Sequence, residues 1–143
     1  MTERRFETPE QAVAYMKAVA VARSGFSSWL GVEPIKVWEG ESELLLVIRP
    51  EHTQHHGYAH GAIVGLMADN ACAWAAASTA GDVVTGSYTI NFLAPAVGQR
   101  LRAKGNVVRA GKRQVVANAQ VWSENDDQAS KLVAVALATI LPV

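Results

Sequence analysis

One cysteine, Cys72, stands in the whole chain, which excludes an internal disulfide framework. It lies inside an apolar helical run, where a buried, inert thiol is the expectation. An excess of either charge is missing too, because thirteen Lys and Arg balance thirteen Asp and Glu. Nothing electrostatic therefore points to nucleic acid or an anionic membrane as the main partner. No apolar run is long and clean enough to span a membrane. Leu132 to Val143 is too short, and Gly61 to Ala77 carries Asp69 and Asn70 at its centre. The start, Met1-Thr-Glu-Arg-Arg-Phe-Glu, is charged and lacks an apolar segment at signal-peptide spacing, so a cytoplasmic location is expected. Repeats, linkers and low-complexity tracts are also absent.

What is present suits one folded domain over residues 1–143, half hydrophobic and 18% charged. Thr8-Pro9-Glu10-Gln11 reads as a helix start, with Thr8 as N-cap and Gln11 at the capping-box position. Val13, Met16, Val19 and Ala20 continue it at helical spacing, with Gly25 as the expected stop and a short turn over 26–30. Val32 to Val37 and Leu44 to Ile48 flank Trp38-Glu39-Gly40-Glu41 as a hairpin. A long helix is expected from about 60 to 80, ended by Gly81. About four strands follow, including Val83 to Leu93 and two that flank a turn at Arg109-Ala110-Gly111-Lys112-Arg113. The order is that of an α+β domain, with a helical extension over about 8–30.

The long helix carries the chemistry. From Ala62 to Ala77 it has almost no polar face, so protein must surround it. Asp69 sits inside that run, and no Lys or Arg occurs between Pro50 and Val97 to pair with it. An ionised carboxylate there costs roughly several kcal/mol unless something compensates. Two readings fit: a carboxylate bonded to buried hydroxyls or a partner helix, or a catalytic group. His60-Gly61 opens the same helix, where unpaired backbone amides meet the positive end of the macrodipole. Glycine lets a carbonyl oxygen come close to such an amide, which suits an oxyanion hole. His60 and Asp69 lie about 2.5 turns and roughly 13 Å apart, half-way round the helix. If they serve one small substrate, two antiparallel copies related by a two-fold axis must share the site.

Gln54-His55-His56-Gly57-Tyr58-Ala59-His60-Gly61-Ala62, then Leu66-Met67-Ala68-Asp69, resembles the signature of hotdog-fold acyl-CoA thioesterases of the phenylacetyl-CoA and 4-hydroxybenzoyl-CoA type. Thr89-Ile90-Asn91-Phe92-Leu93-Ala94-Pro95-Ala96 looks like the strand that follows the helix in that family. The resemblance covers about residues 32–142. It implies a curved antiparallel sheet wrapped round the central helix, in dimers that often pair into tetramers. It assigns Asp69 as nucleophile or general base, Gly61 as oxyanion donor and His60 as a shaper of the helix start. Gln54, from the opposite chain, would orient the thioester or the attacking water. The substrate it implies is an acyl-CoA, with no cofactor beyond the coenzyme A that the substrate carries. Two positions depart from the pattern. Ala62 replaces the second glycine of His-Gly-Gly, and Ala73 stands where some relatives hold water with a threonine. Thr85 or Ser87 could supply that hydroxyl.

Other features weigh less. His52, His55, His56 and His60 lack the spacing of a zinc motif, and no metal is expected. Ser24, Ser27 and Ser28 have no nucleophile-elbow context. Arg109, Lys112 and Arg113 read either as a solvated turn or as a seat for coenzyme A phosphates. The four tryptophans suit core or interface, with Trp74 a candidate wall of an acyl pocket. The rivals to hydrolysis are a hotdog enoyl-CoA hydratase or dehydratase, and a non-catalytic acyl-CoA-binding protein.

Overall fold

A computed structural model describes residues 5–143; the charged start at residues 1–4 lies outside it. The N-terminal helix α1 (Pro9–Tyr15) begins as its sequence dictates, the Thr8 hydroxyl accepting from Gln11 N–H at 3.2 Å. It widens into a π-helical stretch over Met16–Val21. Gly25 is not its stop. Ser24 caps a second helix, α2 (Gly25–Leu30), by accepting from Ser27 N–H, so Gly25 opens that helix. The serine cap outcompetes glycine as a local signal, and the left-handed terminator is Gly31.

Strands β1 (Glu33–Trp38) and β2 (Glu41–Val47) form the expected hairpin. Glu39 and Gly40 both have positive φ, the requirement of a two-residue turn that matches strand twist. A short 3₁₀ turn over Pro50–His52 leads to helix α3 (Gly61–Ala80), closed by Gly81. Four strands follow: β3 (Val83–Phe92), β4 (Arg100–Ala110), β5 (Val115–Asn125) and β6 (Gln128–Pro142). Arg109 thus belongs to β4, and the basic turn proper is 111–114. All pairings are antiparallel, in the order β1-β2-β4-β5-β6-β3.

The six-stranded sheet lays its inner face on α3. Small residues make this possible: Ala103, Gly105, Ala117, Ala119, Ala134 and Ala138 face a helix that is itself rich in alanine. At the closest approach, Ser42 Oγ donates to the Ala71 carbonyl at 2.6 Å, beside Gly105. The helix is not enclosed all round by its own chain. Gly61 and Ala62 are exposed, and Leu66, Asp69, Asn70 and Ala73 are only partly covered. An apolar surface on every side is explained for most of the helix by the sheet, and for this stripe by nothing within one chain. Strand β3, at one edge of the sheet, is also largely exposed.

Candidate active site

Asp69 lies on the partly covered stripe of α3, and its carboxylate accepts from the Thr85 hydroxyl at 2.6 Å. Thr85 and Ser87 had equal standing in the sequence; the sheet separates them. The β3–β6 register shifts between Thr85 and Ser87. Thr85 pairs with buried Ile140 and faces inward, whereas Ser87 pairs with Thr139 and is exposed on the outer face. An extra residue in a strand restarts the alternation of sides, which is why two residues apart no longer means the same face. Ser87 is not brought to Asp69.

Cys72, one turn on, is fully buried and points into the sheet, its Sγ 3.7 Å from the Ala117 carbonyl. Burial, and then the Asp69 carboxylate, push its thiol up to about 12, so it stays protonated and inert.

The start of α3 forms a second constellation. His60 caps the helix by accepting from Ala62 N–H through Nδ1 at 2.9 Å. Its backbone carbonyl takes the amides of Ile63 and Val64. Among the described residues no acceptor serves the Gly61 N–H, the one donor at this helix end left facing outward. Gln54 and Gly61 line one groove together with Tyr58 and Phe92, and the Gln54 side-chain oxygen accepts from His56 N–H at 2.5 Å. Asp69 is not in that groove. Gln54, His60 and Gly61 therefore assemble at one end, and Asp69 with Thr85 further along, as the helical spacing requires.

Sequence reasoning missed the side chains that border this stripe. Tyr88 and Phe92 reach in from β3 over Gly65 and Gly61, at distances a Cβ on either glycine would feel as contact. They remain 42% and 55% exposed. The alternation Tyr88-Ile90-Phe92 marked a strand face, but nothing local said which helix residues it would cover.

The remaining histidines differ in setting. His52 is fully buried, and its Nδ1 accepts from Arg49 N–H at 3.1 Å. Burial, reinforced by the Arg49 guanidinium, lowers its pKa. At the surface the His55 and His56 rings lie tilted against each other, and His56 stacks on Tyr58. On the outer sheet face Arg102 bridges Glu124 and Glu43, a structural pairing away from the helix. Arg109, Lys112 and Arg113 are exposed at the β4–β5 turn.

A six-stranded antiparallel sheet laid on one long apolar helix is the hotdog fold. The chain belongs to the thioesterase superfamily, whose sequence profile matches residues 56–130, and it is a thioester hydrolase. A thioesterase family protein from Silicibacter pomeroyi is 30% identical and superposes with a TM-score of 0.83, over 90% of this chain and 96% of that one. A single-residue variant of the phenylacetic acid degradation protein PaaI from Thermus thermophilus is 27% identical, with a TM-score of 0.72 over 84% and 100%. The PaaI protein of the phenylacetic acid degradation operon of E. coli shares the fold at a TM-score of 0.81 and 23% identity, covering 95% and 96%. These matches reach beyond residues 32–142, so relatives carry at least part of the N-terminal helical segment. No curated protein matches the sequence. Among the described residues no helix is long and apolar enough to cross a membrane.

Proposed function

We propose that the protein hydrolyses an acyl-CoA thioester to a free acid and coenzyme A, at a site shared between two subunits. The observation that carries this reading is the Asp69–Thr85 pair on a helix stripe that its own chain leaves open. The Gly61 N–H polarises the thioester carbonyl, and Gln54 beside it orients the thioester or a water. Asp69 comes from the other subunit. Either it takes a proton from a water that attacks the carbonyl carbon, or its oxygen attacks directly to give an anhydride that water then opens. In both routes the C–S bond breaks, and the departing thiolate leaves as coenzyme A and takes up a proton.

Two features support the shared site. Strand β3 is a ten-residue edge with one side unpaired, an arrangement that invites a second strand. Its exposed apolar residues Tyr88 and Phe92 lie beside the open stripe of α3. A homodimer, pairing again into a tetramer, would cover both. The test is complementation. Asp69→Ala and Gln54→Ala subunits, each inactive alone, are reassembled together from denaturant. Random pairing makes half the dimers mixed, each with one intact site, so roughly a quarter of wild-type activity should return. No recovery, with mixed dimers confirmed by mass, refutes the intersubunit site.

The basic turn is read as a seat for coenzyme A phosphates. Val115, Ile140 and Thr85 sit side by side on adjacent strands, which places the turn at the Thr85 end of the sheet, Val115 being about 10 Å from Thr85. Replacing Lys112 and Arg113 with Ala should raise KM severalfold, leave kcat little changed, and make KM less sensitive to salt. An unchanged KM at low ionic strength restores the solvated turn.

A further inference from the structure

Among the described residues one buried side-chain polar atom lacks a hydrogen-bond partner: Nε2 of His52, a fully buried residue. Nδ1 of the same ring accepts from Arg49 N–H at 3.1 Å, so the proton of the neutral ring sits on Nε2. A buried donor left unpaired is destabilising, and an apolar side chain would avoid that loss. What offsets it is the work of Nδ1.

The Arg49 bond closes the 3₁₀ turn over Pro50–His52 and so directs the chain that leaves it. Beyond the turn two short segments run antiparallel. Gln54 N–H donates to the Tyr58 carbonyl at 2.9 Å, and His60 N–H donates to the His52 carbonyl at 2.8 Å. Thr53 bridges Ala59 between them. This small ladder sets Gln54 against the Gly61 amide, which follows its last rung. His52 is one end of the ladder, and its ring meets the Trp29 ring of α2 edge-on, with centroids 6.1 Å apart. The Arg49 guanidinium ties the same turn to the Trp29 and Leu30 carbonyls at the end of α2. The imidazole therefore joins α2 to the groove in which Gln54 and Gly61 meet.

We propose that His52 is a positioning residue for hydrolysis, its Nδ1 acceptor holding Gln54 in register with the Gly61 amide. The inference rests on the roles given above to Gln54 and Gly61. Being fully buried, His52 acts through the ladder and not on the substrate.

Two substitutions separate position from packing. His52→Phe keeps a ring beside Trp29 and removes Nδ1. It leaves the Arg49 N–H unpaired but also removes the unpaired Nε2, so its Tm should stay near that of the parent. His52→Asn gives up the ring and should melt lower, yet its Oδ1 can stand where Nδ1 stood and accept from Arg49 N–H. Activity should run in the opposite order. On an acyl-CoA that wild type cleaves, His52→Phe should lower kcat about tenfold or more with KM within about twofold, the mark of a misplaced group. His52→Asn should recover kcat to within about threefold of wild type, because the register is restored. The proposal is overturned if His52→Phe keeps the wild-type kcat, or if His52→Asn is the less active of the two. Should His52→Phe fail to fold, His52→Leu removes the acceptor with a smaller side chain; if neither folds, the ring is structural and the proposal falls. If wild type releases thiol from no acyl-CoA, the acyl-CoA reading fails, and the ladder is judged by hydrogen exchange at the Gln54 and His60 amides. Exchange there should quicken about tenfold in His52→Phe and not in His52→Asn; equal rates in the two overturn the proposal.

Discussion

Asp69→Asn should fold and assemble as the parent does and yet lose at least about 100-fold in thioester hydrolysis, the scale of a positioned general base. The substitution keeps size and polarity, and the amide oxygen can still accept from Thr85, so the local structure has no reason to change. It removes the charge that either route needs, whether the carboxylate attacks the carbonyl or deprotonates water. The fall should appear in kcat rather than KM, because Asp69 contributes nothing to holding coenzyme A in this reading. Steady-state thiol release, with melting and mass as controls, measures it. Turnover within a few-fold of wild type in a folded variant would remove Asp69 from the mechanism.

Gly105→Ala should be the most damaging small substitution in the fold. A methyl group there would stand 2.1 Å from the Ala71 carbonyl oxygen and 2.7 Å from Ser42 Oγ. The first is backbone of the central helix, so no side-chain rotation relieves the clash. The helix must lift from the sheet, and the Ser42 bond to that carbonyl goes with it. A loss of about 3 kcal/mol or more is expected, which lowers Tm by about 10 °C, or prevents folding. Gly25→Ala is the control, since nothing lies within 4 Å of the added carbon, and it should be neutral or slightly stabilising. Equal melting of the two variants would show that the helix–sheet spacing is not set at Gly105.

Much of the architecture was legible because it is local. The all-apolar run of α3, the Thr8 cap, the helix start at His60-Gly61, the Glu39-Gly40 turn and the Gly81 stop each depend on residues within a few positions of one another. Local chemistry of this kind is written in spacing, and periodicity then says which faces must be buried. Asp69 was legible for a related reason: a carboxylate in an apolar helix with no cation in forty-odd flanking residues is anomalous wherever the chain folds. The failure at Gly25 is instructive in the same terms, since two local signals competed and the Ser24 cap won.

Tertiary structure decided what spacing cannot carry. Thr85 rather than Ser87 meets Asp69 because β3 shifts register against β6, a partner about fifty residues away in sequence. Alternation along a strand predicts two equivalent hydroxyls; the choice of side is made by the long-range ladder, where one extra residue flips every position beyond it. A cavity beside Ala73 and Ala77 likewise exists only where the N-terminal helix, two sheet edges and α3 converge, and no segment holds its shape alone. Even the open stripe on α3 was invisible beforehand. Sequence says that a helix is apolar on all sides, but which side its own chain leaves uncovered depends on where the sheet's edges stop, and that is settled by strand number and curvature.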